Sequence, residues 1–184
     1  FDAHCFWSVC DDLMSQYYHK AYGLKVIITR MFSHEGSRRG KEFALSWFAY
    51  QIVRCEKEEG FPLGNIMGYE VRHGNLDSVR TYNHIDDAVH AYWLAVDKCD
   101  SGEVYNIGGD YTCTVGDALD MLISKSINPK AFIKELDPAR VRPTDITLQI
   151  PSVVTLFLFA SVTHASVSAV SPLCEITINI SFLE

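Results

Sequence analysis

The chain has 184 residues, 48% of them hydrophobic and 21% charged, an ordinary globular balance that excludes wholesale disorder. Twenty-three acidic against sixteen basic side chains leave a formal charge of −7, which excludes a general nucleic-acid binder with a basic face but leaves room for one local anion site. This length fits one domain with an extra lobe.

In chain order, residues 9–22 read as a helix, because Val9, Leu13, Tyr17 and Ala21 recur at a spacing of four and form an apolar stripe. Gly23 is its natural stop. The run KVIITRMF at 25–32 reads as a strand covered on both faces, and SHEGSRRG at 33–40 as a polar loop. A second helix is expected over 42–58, with Phe43, Phe48, Ile52 and Cys55 on one side. A loop around Pro62 and Gly64 follows, then a short strand at 66–71 and a turn at 73–75. The third helix spans 85–98, with Asp86 and Asp87 in its first turn and Ile85, Val89, Trp93 and Val96 on the expected buried face.

EVYNIGG at 103–109 reads as a strand ending in a Gly turn. Thr114 and Asp117 have the spacing of a capping box, and Leu119, Leu122 and Ile123 then face the core. AFIKEL at 131–136 is a short strand and DPARVRPTD at 137–145 a loop. Composition breaks near Pro151: every Lys and Arg lies before it, and Glu175 and Glu184 are the tail's only charges. The uncharged stretch from Ser152 to Cys174 has the length of a membrane span, but its many Ser and Thr argue against one; EITINISF reads as a strand.

Cys5, Cys10, Cys55, Cys99, Cys113 and Cys174 form no C-x-x-C pair, so a zinc ribbon or redox motif is not supported and the cysteines read as reduced in a cytoplasmic protein. No metal site is expected: His4, His73, His84 and Glu70 do not fall at ligand spacings. There is no Gly-x-Ser-x-Gly, no P-loop and no G-x-G-x-x-G after a strand. Arg38-Arg39-Gly40 offers two guanidinium forks beside a glycine after a strand end, a placement suited to phosphate, although a solvated basic turn is the commoner use of such a dipeptide. Arg80 and Arg142 are the other candidate anion ligands, each expected in a loop next to a helix start or a Pro-fixed turn.

Taken in order, YGLKVIITRMFSHEGSRRG, GNLDSVRTYNHIDDAVHAYWL, GEVYNIGG and DPARVRPTD resemble the carboxyl-terminal half of an extended short-chain dehydrogenase/reductase of the NAD-dependent epimerase/dehydratase kind, nearest to the GDP-mannose 4,6-dehydratases. The resemblance covers about residues 9–150. It implies an α/β fold: an incomplete Rossmann-type parallel sheet with a small mixed α/β sugar-nucleotide domain. Residues 1–40 would be the remnant of the dinucleotide-binding domain, 41–150 its interleaved later elements with the substrate domain, and 151–184 an atypical apolar, Ser-rich tail. The family oxidises C4 of the hexose, removes water across C5 and C6 and returns the hydride. The resemblance further implies NADP held by Ser33, His34, Glu35, Arg38 and Arg39, a contact between copies through the Arg38–Arg39 loop, and a GDP-sugar gripped by Arg80, Arg142 and Asp145.

The departures are as specific as the matches. Ser33 stands where the family usually has Asn, and Ser37 where it has Pro. The family's S-P-Y-x-x-x-K precedes the first helix, and an ungapped alignment puts His4 at the Tyr position and Ser8 at the Lys position. No Tyr-x-x-x-Lys occurs anywhere in the chain. That pair transfers a proton as hydride leaves, so no catalytic residue is assigned. The expectation is a dehydratase-like chain that is catalytically incompetent alone and incomplete at its N-terminus, with sequence foreign to the family at both ends. The rival expectations are a non-catalytic nucleotide-sugar-binding module and a membrane- or partner-associated protein acting through its tail.

Overall fold

A computed structural model describes residues 3–57, 68–142, 145–150, 155–158 and 174–178, with side chains over 7–57, 68–142 and 145–150. Along the chain run α1 (Ala3–Tyr22), β1 (Ile28–Met31), β2 (His34–Glu35), α2 (Ala44–Lys57), β3 (Tyr69–His73), β4 (Val79–Thr81) and β5 (Asn83–His84). Then follow α3 (Ile85–Lys98), β6 (Val104–Gly109), β7 (Thr112–Thr114), α4 (Val115–Ser124), β8 (Phe132–Leu136), β9 (Leu148–Gln149), β10 (Thr155–Leu158) and β11 (Cys174–Ile178). The expected loop around Pro62 and Gly64 lies outside the described residues.

The chain forms two compact units. One comprises Phe1–His34, Thr81–Thr112 and Ile150–Glu184; the other comprises Glu35–Arg80 and Cys113–Gln149. The first is built on a parallel sheet in the order β1-β6-β11-β10. β6 is central: Ile28 to Met31 pair with Val104 to Ile107 on one side, and Cys174 to Ile178 pair with Tyr105 to Gly109 on the other. The strand expected in EITINISF is therefore present as β11.

α1 begins earlier than its periodicity indicated and ends where expected. Gly23 takes a left-handed φ of 67°, and its N–H donates to the His19 carbonyl at 2.9 Å, which closes the helix. Two expectations for this unit are corrected. The β-branched run gives only Ile28–Met31 as strand; Ile28 is buried but Arg30 is exposed, its guanidinium paired with Asp12 of α1. The α1 stripe of Val9, Leu13 and Tyr17 is exposed, at 59%, 61% and 59%.

α3 is likewise turned from its expected orientation. Val89, Trp93 and Val96 are exposed, while Ala88, Ala91 and Ala95 are buried. The reason is steric: Ala91 packs with Tyr105 and Ile107 of β6, and a row of methyl groups lets a helix lie close on a parallel strand. Its first turn carries Asp86 and Asp87 as expected, and His84 Nδ1 accepts from the Asp86 amide at 3.3 Å.

In the second unit β3 and β8 pair in parallel from Tyr69–Phe132 to His73–Leu136. Phe48 and Ile52 of α2, Val115 and Leu119 of α4, Val71 and Phe132 form its core. Phe43 precedes α2 and is exposed, which corrects its placement on the buried side. The capping box is present: Asp117 N donates to Thr114 Oγ1 at 2.9 Å, and Thr114 N to Asp117 Oδ2 at 3.0 Å. Among the described residues Cys10, Cys55, Cys99 and Cys113 form no disulfide, no helix is long and apolar enough to cross a membrane, and no cluster of His, Cys, Asp and Glu has the makings of a metal site.

Candidate functional site

The segment GNLDSVR folds around an Asn-anchored turn. Asn75 Oδ1 accepts the Asp77 amide at 2.9 Å, the short-range bond that makes Asn a turn residue. Gly74 just before it has no room for a side chain: a Cβ there would stand 2.4 Å from the Arg140 carbonyl oxygen. The loop 137–140 is thus held against this turn, with the Asp137 amide donating to the His73 carbonyl at 2.8 Å.

This packing gathers four polar side chains. Asp145 Oδ2 accepts from Asn75 Nδ2 at 3.0 Å and from Ser78 Oγ at 3.1 Å. Its Oδ1 lies 3.7 Å from Arg80 Nη2. Arg80 belongs to β4, not to a loop as its sequence context indicated, and its Nη1 donates to the Val79 carbonyl at 2.8 Å. Ser78 is buried at 1% exposure, and its carbonyl accepts the Val115 amide at 2.9 Å, which ties the cluster to the start of α4. The guanidinium is thus held from two sides, by Asp145 and the Val79 carbonyl, with its side chain 14% exposed, and guanidinium forks suit phosphate and planar oxygen ligands. Arg142 is exposed and makes no ion pair among the described residues, so the structure does not bring it into this cluster. Sequence reasoning missed Asn75 and Ser78; the signal was available in the N-x-D turn pattern.

The RRG segment forms a second cluster. Glu35 Oε2 pairs with Arg39 Nε at 3.2 Å, and the Arg39 guanidinium lies 3.8 Å from the Phe43 ring centroid. Burial pushes the Glu35 carboxyl above its usual range, and the Arg39 charge offsets this only in part. Arg38 is exposed and holds a φ of 70°, the left-handed region that a non-glycine residue rarely adopts. His34 Nδ1 lies 3.2 Å from the Phe32 carbonyl oxygen, and Ser33 is half-buried in the link between β1 and β2.

The NAD dependent epimerase/dehydratase family matches residues 9–108. A dTDP-D-glucose 4,6-dehydratase of Dictyostelium discoideum is 31% identical over 112 residues, which is 61% of this chain and 23% of that protein. A dTDP-glucose 4,6-dehydratase of Actinoplanes sp. is 26% identical over 123 residues, 66% of this chain and 34% of that protein. The chain thus spans about a quarter to a third of the length of these curated relatives. Among solved structures, the UDP-glucuronic acid 4-epimerase of Bacillus cereus in complex with UDP-glucuronic acid and NAD has a TM-score of 0.61 at 22% identity, over 77% of this chain and 41% of that one. That likeness confirms the expected α/β, Rossmann-type architecture. With more than half of its length matched, the chain belongs to the NAD dependent epimerase/dehydratase family.

Proposed function

We propose that this chain serves the dehydration of a nucleotide sugar, as the part that grips the nucleotide sugar rather than the part that moves protons. The observation that carries this reading is the Asn75–Ser78–Asp145–Arg80 cluster, in which Asn75 and Ser78 hold Asp145 and Asp145 pairs with the guanidinium. Arg80 would take the diphosphate, with Arg142 swinging in as a second cation; Asp145 would keep Arg80 aimed. Of the sugar nucleotides used by such enzymes, a GDP-sugar, and GDP-mannose in particular, is the proposed ligand. The support is the combined GNLD-x-x-R and RPTD segments of the sequence.

Ser33, His34, Glu35, Arg38 and Arg39 are proposed to face the dinucleotide, with NADP favoured because two adjacent arginines suit an additional phosphate. The residues present fit the phosphates of such a group: Arg38 is exposed and Arg39 is set by Glu35 and Phe43. When bound, the nicotinamide would supply a reversible hydride acceptor. The sequence holds no Tyr-x-x-x-Lys to accept the sugar's proton, so this chain by itself is proposed to bind without turnover.

Calorimetric titration with GDP-mannose, GDP and dTDP-glucose tests the reading. We expect the two GDP ligands to bind more tightly than dTDP-glucose, and Arg80→Ala to weaken both by about tenfold or more, the cost of one charge-assisted contact pair. Equal affinity in the parent and in Arg80→Ala would overturn the grip. Tighter binding of dTDP-glucose would reassign the base. Turnover of GDP-mannose with NADP by the purified chain would overturn the non-catalytic part.

A further inference from the structure

β3 ends on a histidine that the nucleotide-sugar grip has not yet used. The His73 side chain is buried, and a buried polar ring is costly unless it is hydrogen-bonded. Its Nδ1 lies 2.7 Å from the carbonyl oxygen of Gly74, the next residue. A carbonyl oxygen only accepts, so Nδ1 carries the hydrogen and donates it.

This bond falls where the turn is loosest. Gly74 is required by space, because the Arg140 carbonyl oxygen occupies the place a Cβ would take. The same glycine gives the backbone its widest freedom, so the peptide plane between Gly74 and Asn75 is the easiest one in the turn to rotate. Upstream the chain is already held: the His73 carbonyl accepts the Asp137 amide at 2.8 Å. Downstream the imidazole supplies the restraint by aiming the Gly74 carbonyl.

The next residue tolerates little rotation. The Asn75 carboxamide is committed at both ends: Oδ1 accepts the Asp77 amide at 2.9 Å, and Nδ2 donates to Ser78 Oγ and to Asp145 Oδ2, each at 3.0 Å. A turned peptide plane at Gly74 would carry the Asn75 side chain away from these partners, and Asp145 Oδ1, 3.7 Å from Arg80 Nη2, would lose one of its anchors. An apolar side chain would fill the position of His73 without the cost of burying a polar ring. The ring's use is the bond it makes to the turn.

We propose that His73 is a positioning residue for the Arg80 guanidinium: its Nδ1–H holds the Gly74 peptide, which keeps Asn75 and Asp145 in the arrangement that receives a diphosphate. The inference rests on the nucleotide-sugar reading for its ligand and adds a residue to that site.

The full chain and three variants, His73→Leu, His73→Asn and His73→Gln, are titrated calorimetrically with GDP, and the melting temperature of each is recorded. Leucine keeps apolar bulk and has no donor. The Asn amide nitrogen stands as many bonds from Cα as imidazole Nδ1, whereas the Gln nitrogen stands one bond further. His73→Leu is expected to weaken GDP binding about threefold to tenfold, the worth of one hydrogen bond. His73→Asn should recover most of that loss and His73→Gln should not, in an order that does not follow the melting temperatures. A readout without ligand is hydrogen exchange at the Asp77 amide, which should lose protection in His73→Leu and regain it in His73→Asn. GDP affinity in His73→Leu equal to the parent's overturns the proposal, as does equal rescue by Asn and Gln, or affinity that simply tracks the melting temperature. Unchanged protection of the Asp77 amide in His73→Leu overturns it as well. A parent chain that binds no GDP overturns the nucleotide-sugar reading and the ligand named here with it; that failure is told apart because the Asp77 amide then still depends on His73.

Discussion

Ser78 shows how a small buried side chain can govern a charged one. Its hydroxyl donates to Asp145, which faces Arg80, and its backbone oxygen takes the first amide of α4. Ser78→Ala is expected to cost about 1–2 kcal/mol, since Asp145 loses one donor at a buried point. Chemical denaturation would read this, and the same variant should weaken GDP binding less than Arg80→Ala does. Glu35 provides a pH-dependent counterpart. Its carboxyl is raised by burial, so the folded state holds its proton more tightly than the unfolded chain. Its contribution to stability is therefore complete at acid pH and is lost as pH rises through the raised value. Compared with the parent between about pH 3 and pH 7, Glu35→Gln should gain relative stability as pH rises. A flat or falling difference would contradict the assignment.

At the scale of elements, α2 and α4 are secured by different means. Gln51 uses its side-chain amide as a substitute strand: Nε2 donates to the Arg72 carbonyl at 3.0 Å, and Oε1 accepts the Arg72 amide at 2.9 Å. Trp47 Nε1 donates to the same carbonyl at 3.1 Å. Gln51→Ala should loosen α2 from β3 and cost about 1–2 kcal/mol in equilibrium unfolding, whereas Leu119→Ala, at a fully buried position of α4, should cost about 2–5 kcal/mol. The α4 cap adds a proton dependence of opposite sign to that of Glu35. The Thr114 side chain, then its backbone amide, hold the Asp117 carboxyl below its usual range. This cap stabilises at pH above the ordinary carboxylate value and weakens as pH falls through the lowered one. Asp117→Asn should flatten that acid limb in a melting series.

At the scale of the whole molecule, what the sequence disclosed and what it withheld divide along physical lines. The capping box, the Gly23 stop and the β6 run were legible because each is decided by neighbours in the chain. The buried face of α3 was not: hydrophobicity favoured Val89, Trp93 and Val96, whereas closeness to β6 selected the alanines. The sequence resemblance put Arg80 and Asp145 at one ligand, but the hold of Asn75 and Ser78 on Asp145 was not legible, because Asp145 comes from a remote loop. The exposed residues of α1 carry their own consequence: Leu13, Tyr17 and Tyr22 present apolar surface at 61%, 59% and 70% exposure. A patch of this kind drives self-association. Leu13→Glu/Tyr17→Glu should raise the concentration at which light scattering first detects oligomers while leaving the melting temperature within a few degrees. An unchanged threshold would show that the patch does not govern association.

The placement of Val104–Gly109 between β1 and β11 also sets a timetable. One flank of that strand is met by chain made long before it, the other by chain made long after it, and neither meeting is helped by a tight turn. Closing such distant loops lengthens the search for the native state, so refolding from denaturant should be slow, and slower than secondary structure alone would dictate. During synthesis this strand acquires its second neighbour only after Cys174–Ile178 has left the ribosome, and until then that edge is unpaired.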